Sequence, residues 1–443
     1  MKKSFLYFIC IVSAMGGLLF GYDWVVIGGA KPFYEIYFGI TDSPTLQGFA
    51  MTTALIGCLI GAMVAGGLAD RYGRKPLLIF ASVLFTLSAW ATGWFDDFTI
   101  FNIARFIGGV GIGIASAISP MYIAEVSPAE IRGRMVSVNQ MTIVLGILSA
   151  QIVNMLLAQP VIEGIDPMTT WNVQEGWRWM FWAEAVPAGI FFILSFIIPE
   201  SPVFLRLKNE RETAASAGVV SMDKEAQSLA KKAGLKELFS RQYGRVLMLG
   251  LFIAVFQQWC GTNVIFNYAQ EIFVSAGFDV DGMFINIVIT GVANVLFTFV
   301  ALYTIERWGR RTLMLIGAGG LGLIYLILGT CYFMEVKGFV MVVLVVAAIS
   351  CYAMTLGPVT WVLLSEIFPH RVRGIAMATC TFALWTGCCT LTYSFPPMNA
   401  ALGSSGSFWI YSIICAIAFA YLFKNCPETK GKSLEALEDE LAK

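Results

Sequence analysis

The chain has 443 residues, of which 58% are hydrophobic and only 13% charged, with a mean hydropathy of +0.74 and a formal net charge of zero. A soluble globular domain carries about 25% charged residues, so this balance excludes one and fits a protein that resides in lipid. There is no basic excess to bind nucleic acid. Ten cysteines fall inside apolar runs (Cys58, Cys260, Cys388, Cys389) or at their ends (Cys426), without CxxC spacing or paired histidines. They read as packing residues, and no metal or cofactor is expected. No nucleophile paired with a base points to an enzyme.

Backbone groups in lipid must be bonded within a helix or a closed barrel, and these long apolar runs lack the alternation of barrel strands. The spans are therefore expected to be α-helices. The first runs from about Ser4 to Ala30, long enough to cross a core of roughly 30 Å. It is too long for a secretory leader despite Lys2-Lys3, and it contains Asp23. An ionised Asp at that depth costs about 2.5–3.5 kcal/mol, so it needs a partner, a cavity or a protonation role.

Runs between charged or Pro/Gly-rich breaks predict about twelve spans, at roughly 5–30, 46–69, 77–95, 99–124, 135–158, 177–198, 246–270, 283–305, 312–333, 339–364, 374–395 and 405–423. The polar stretch from Arg206 to Arg245, with Asp223 to Leu238 as an expected amphipathic surface helix, separates two sets of six. The predicted organisation is an N-terminal bundle over 1–205, a linker over 206–244 and a C-terminal bundle with a short tail over 245–443.

Orientation follows from the basic residues, which favour cytoplasmic loops. With the N-terminus inside, only Lys31, Arg178 and Lys337 of the 29 Lys+Arg fall on external loops or their edges, and Arg105 lies within a span. Both termini are then cytoplasmic.

Three motifs recur in the same order. Asp70-Arg71-Tyr72-Gly73-Arg74-Lys75 returns as Glu306-Arg307-Trp308-Gly309-Arg310-Arg311, an offset of 306 − 70 = 236. Glu125-Val126-Ser127-Pro128 with Arg132-Gly133 returns as Glu366-Ile367-Phe368-Pro369 with Arg373-Gly374, an offset of 366 − 125 = 241. Pro199-Glu200-Ser201 is matched by Pro427-Glu428-Thr429. The pattern predicts a duplicated six-helix unit with parallel halves and a substrate site between them near the midplane. The acids Asp70, Glu125, Glu200, Glu306 and Glu366 with Arg71, Arg74, Arg132, Arg307, Arg310 and Arg373 supply matched charges at one end, expected to lock the halves together and to break when they rock apart.

On these motifs the chain resembles the sugar porters of the major facilitator superfamily over nearly its whole length, from Gly17-Leu18-Leu19-Phe20-Gly21-Tyr22-Asp23 to Pro427-Glu428-Thr429-Lys430-Gly431. The repeated acidic-Arg-x-Gly-Arg motif is typical of the superfamily. Pro199-Glu200-Ser201-Pro202, Gln257-Gln258-x-x-Gly261-x-Asn263 and Gly357-Pro358-x-x-Trp361 narrow it to sugar porters, similar to bacterial proton-xylose symporters and to facilitative glucose transporters. The resemblance implies a twelve-helix fold of two pseudo-symmetric six-helix bundles that carries a hexose or pentose by alternating access as a multi-pass cell-membrane protein, in the bacterial inner membrane for a prokaryotic source. Function as a monomer is expected.

Sugars have many hydroxyls and no charge, so a site for one needs amides and flat apolar faces. Gln140, Gln257, Gln258, Asn263 and Asn294 lie in spans and match sugar-contacting positions of the family. Gln258 and Asn263, five apart, would be turned away from each other on a regular helix, whereas a helix loosened at Gly261 aims both inward. The resemblance makes Trp361 and Trp385 ring-covering aromatics and Phe20 a first-span aromatic at the sugar. Gly357 and Pro358 should break the tenth helix and form its hinge. Asn267-Tyr268 replaces a frequent pair of tyrosines and Leu384 a frequent amide, so the preferred sugar is left open.

Asp23, Arg105 and Glu184 are the ionisable residues deep in apolar sequence. Proton-linked members of the family carry an acid at the Asp23 position together with the arginine, while facilitative members carry an uncharged residue. Symport is therefore expected, with Asp23 binding the proton, Arg105 its partner and Glu184 tuning the pair. A facilitative uniporter and a non-transporting sugar sensor are the alternatives. Gly108-Gly109-Val110-Gly111-Ile112-Gly113 superficially resembles a phosphate-binding loop, but no strand precedes it, and close helix packing is the expected role. The single histidine, His370, sits in a turn beside Arg371 and is not expected to be catalytic.

Overall fold

The computed structural model describes residues 3–160, 164–206, 208–209, 238–239, 243–368 and 372–430, and among these the chain forms helices and no strand. The expected linker helix over 223–238 lies outside them apart from Leu238, as does His370. Five long helices open the chain: α1 Lys3–Tyr37, α2 Pro44–Tyr72, α3 Arg74–Trp94, α4 Phe98–Val126 and α5 Ala129–Leu157. The sixth span is interrupted, with a π-helical turn at Asn172–Gly176, then α6 Trp177–Trp182 and α7 Ala185–Ser195. The seventh is split into α8 Gly244–Trp259, α9 Thr262–Asn267 and α10 Ala269–Ser275. Then come α11 Val280–Trp308, α12 Arg310–Phe333, α13 Phe339–Met354, α14 Leu356–Ile367 and α15 Arg373–Asn425. The 53-residue α15 holds the eleventh and twelfth spans, joined through the non-helical Gly403 at φ +69°.

Where the chain breaks, the cause is local. Gly261 has φ +91°, a left-handed conformation that costs glycine nothing, and it separates α8 from α9. The expected hinge at Gly357-Pro358 takes the form of a break at Thr355, with φ −124° and ψ −91°. Pro358 lacks the N–H that would bond the Met354 carbonyl, and its ring crowds that carbonyl, so the helix has to part just before it. The Thr355 hydroxyl then donates to the Cys351 carbonyl at 2.5 Å.

The first helix runs past its expected end. Lys31, placed on an external edge from sequence, is instead 2% exposed within α1, because Glu35 lies one turn on, 2.8 Å away, and compensates its charge. Asp97 and Asp279 cap α4 and α11 through their first-turn N–H groups.

Within the first half α4 packs on α2 and α3, and α1 on α5; within the second, α15 packs on α12 and α8, and α11 on α13. The halves meet where α2 lies on α15, α5 on α11, and α1 on α9 and α10. The glycine-rich stretch of α4 is a packing surface: a Cβ on Gly109 would stand 1.9 Å from the Ala54 carbonyl oxygen of α2. Gly109→Val is therefore expected to force α2 and α4 apart, at a cost near or above the upper end of the about 1–3 kcal/mol typical of overpacking. A lowered thermal midpoint in detergent, with Gly189→Ala as the control where a Cβ meets open space, measures it.

Candidate functional site

Asp23 on α1 and Arg105 on α4 form an ion pair through Arg105 Nη1 and Asp23 Oδ1, both side chains being almost fully buried. Arg105 Nη2 also donates to the Asp23 backbone carbonyl at 3.2 Å, and the guanidinium lies 5.3 Å from the centre of the Phe181 ring. Glu184, 2% exposed in the turn between α6 and α7, interacts electrostatically with both Asp23 and Arg105. Asp23 Oδ2 has no hydrogen-bond partner. Sequence distance hides this cluster, since its members come from three spans. Two carboxyls thus face one guanidinium in a place without bulk water, where the arrangement is electrically neutral only when the carboxyls share one proton.

The break at Gly261 does bring the amides of the seventh span together. Asn263 Nδ2 donates to Gln258 Oε1, Gln258 Nε2 donates to Gln257 Oε1, and Gln257 Nε2 donates to the Tyr352 hydroxyl at 2.6 Å. On a continuous helix Gln258 and Asn263 would diverge; the left-handed residue between them removes that divergence. Asn294 on α11 is buried, and its backbone carbonyl accepts from Thr298 at 2.7 Å. Gln140 is half-buried on α5.

Three aromatic rings meet at the seam between the halves. Phe20 and Trp24 of α1 lie 5.3 Å apart, and Trp385 of α15 is 6.0 Å from Phe20 and 5.8 Å from Trp24. Trp361 is 39% exposed on α14 and does not join this group. Asp23, Trp24, Arg105, Asn267 and Trp385 share the wall of a cavity of about 10 Å³, scarcely room for one water. As the chain stands, the seam beside Asp23 is closed.

At the end that carries the basic motifs, the two halves repeat one design. Arg74 donates to Glu125 through Nη2 at 2.9 Å, Ser201 donates to Glu125 Oε2, and Glu200 accepts the backbone N–H of Arg74 at 3.0 Å. In the second half Arg310 donates to Glu366 at 3.0 Å, Thr429 donates to Glu366 Oε2 at 2.6 Å, and Glu428 accepts the N–H of Arg310 at 2.9 Å. Glu200 and Glu428 thus cap the helices that begin at Arg74 and Arg310, which gives the third repeated motif its physical reason. These pairs tie helices within a half. Asp70 reaches Arg74 at 3.7 Å, Arg71 lies over the Tyr72 ring and Arg307 over the Tyr303 ring. The side chains of Arg132, Glu306 and Arg373 lie outside the described residues.

Several residues at this seam lie outside the motifs. Trp24 reads as one more apolar residue of α1, and Tyr352 as one of α13. Gln151 is 1% exposed on α5 with its Oε1 unpartnered, standing where a Cβ on Gly291 of α11 would be 1.8 Å away. A buried amide in a span is visible in sequence; that this one lies across the seam is not.

Comparison with known proteins matches residues 9–441 to the family model described as sugar (and other) transporter. The chain is 36% identical over 479 residues to the D-xylose-proton symporter of Escherichia coli (strain K12), covering 99% of this chain and 96% of that one. It is 33% identical over 450 residues to the arabinose-proton symporter of Bacillus subtilis (strain 168), covering 99% and 95%. The inward-open conformation of the xylose transporter XylE from E. coli superposes with a TM-score of 0.83 at 34% identity, covering 98% of this chain and 99% of that one. A chain that is all-helical among its described residues, with repeated end motifs and a seam of amides, aromatics and the buried Asp23–Arg105 pair, belongs, on these matches, to the sugar transporter family, as a membrane transporter of the major facilitator fold and not an enzyme.

Proposed function

We propose that the protein imports a monosaccharide together with a proton, by alternating access of two halves at about 1–205 and 245–443, and that Asp23 is the carboxylate that takes the proton. The observation that carries this reading is the buried Asp23–Arg105 pair with Glu184 beside it at the inter-half cavity. A lone carboxylate there would be costly, and a purely structural pair would not need a second buried carboxyl beside it. Both named symporter relatives couple a pentose to a proton, which supports the same class of substrate here.

In this reading protonation of Asp23 weakens its hold on Arg105, and Glu184 remains as the guanidinium's counter-ion. With the α1–α4 tie relaxed, α1 is free to tilt with bound sugar toward the other face. The sugar is held by the Asn263–Gln258–Gln257 relay, Gln140 and Asn294, with Phe20, Trp24 and Trp385 covering its ring. Trp361 joins them once α14 swings about Thr355. Both termini and the Arg74 and Arg310 networks lie on the cytoplasmic side, and one chain suffices for transport.

Uptake into proteoliposomes under an imposed pH gradient tests it. One proton per sugar and a one-unit gradient sustain about tenfold accumulation, since one pH unit is worth about 1.4 kcal/mol. Uptake that merely equilibrates whatever the gradient would make the protein a uniporter; no saturable counterflow with any hexose or pentose would remove the transport reading altogether.

A further inference from the structure

Lys31 is a cation buried in α1, as Arg105 is in α4, and the repeated motifs do not explain it. Its ammonium donates to Glu271 Oε1 of α10, in the second half, while Glu35 Oε1 of its own helix lies 2.8 Å away. The Lys31 and Glu35 side chains are 2% and 7% exposed, and Glu271 is 25% exposed, so the pair stands at the water boundary. The ammonium also sits 5.5 Å from the centre of the Tyr268 ring. Held this way, the pair joins the two halves at the end opposite Arg74 and Arg310.

The surroundings make Glu271 a firm anchor. The Tyr268 hydroxyl donates to the Thr392 carbonyl at 2.7 Å, and Tyr332 donates to the Ile272 carbonyl at 2.6 Å, so α10 is tied to α15 and α12. Close approach of α1 lets Lys31 reach it: a Cβ on Gly28 would lie 2.9 Å from the Asn267 carbonyl oxygen. Phe33 of α1 and Phe284 of α11 stack at 6.4 Å across the same seam.

We infer that Lys31 and Glu271 are positioning residues of the transport cycle, forming an ionic latch that holds the two halves shut at the outer end. The latch is built to release. Glu271 Oε2 has no hydrogen-bond partner, so water that enters on opening solvates an atom left unfilled in the closed state. Lys31 lies eight residues beyond Asp23 on one helix, about 12 Å along its axis. Any tilt of α1 against the second half therefore also pulls Lys31 from Glu271.

The inference takes from the proposed function only that the halves alternate. Hydrogen exchange of the full chain in detergent, without sugar or gradient, tests it in Glu271→Gln, which leaves Lys31 its partner Glu35. Exchange over 28–37 and 262–275 should rise about tenfold, the effect of losing one charge-assisted hydrogen bond, while exchange at the other end, over 116–126 and 359–367, should fall as that end closes. The paired reversal Lys31→Glu/Glu271→Lys should restore both. Unchanged exchange, faster exchange at both ends, or a reversal as open as the single variant would overturn the latch. Failure of coupling at Asp23 would leave this result untouched.

Discussion

Asp23→Asn is expected to equilibrate sugar without concentrating it. The inside-to-outside ratio under a one-unit pH gradient should fall from about tenfold to near one, while counterflow of labelled sugar continues. Folding should survive because Glu184, buried against the same guanidinium, remains to balance Arg105. An asparagine keeps the shape and one acceptor for Arg105 but holds no titratable proton, so the tie between α1 and α4 no longer depends on pH. Proteoliposome uptake and counterflow measured on one preparation decide the matter. Accumulation that persists in the variant would move the proton site elsewhere, with Glu184 the next residue to replace.

Arg105→Met should have the largest effect on stability. It leaves Asp23 and Glu184 facing each other in a dry seam with no cation, and removing one member of a buried pair costs about 3–5 kcal/mol. Part of that cost is avoidable by protonating both carboxyls, which would also stop the cycle. The double variant Asp23→Asn/Arg105→Met removes one of the two carboxyls and should recover a large part of the loss. A thermal or denaturant double-mutant cycle reads the coupling directly. Additive losses would mean that the two side chains do not act as a pair.

Much of the fold is legible from hydropathy alone, because a span must bury about twenty residues of apolar surface whatever its neighbours are. The repeats at Asp70 and Glu306, and at Glu125 and Glu366, announce two related halves; that Arg74 pairs with Glu125 and Arg310 with Glu366 is seen only in the structure. The expectation that these charges tie one half to the other finds no counterpart among their described contacts, which stay within a half. The helix break at Thr355 and the turn at Gly261 follow from Pro358 and from glycine itself, so they too are readable in one dimension.

Sequence by itself determined what each residue costs in a membrane: Asp23, Arg105 and Glu184 are expensive there and must have partners. Only the tertiary structure decided who the partners are. Arg105 is 82 residues from Asp23, and Glu271 is 240 from Lys31. Hydropathy reports the average surroundings of a side chain, whereas an ion pair depends on two helices approaching within a few ångströms, and that is set by glycines such as Gly28 meeting backbone on the other half. The same geometry turned Lys31 from a loop charge into a buried contact between the halves, and brought Trp24 to the rings of Phe20 and Trp385.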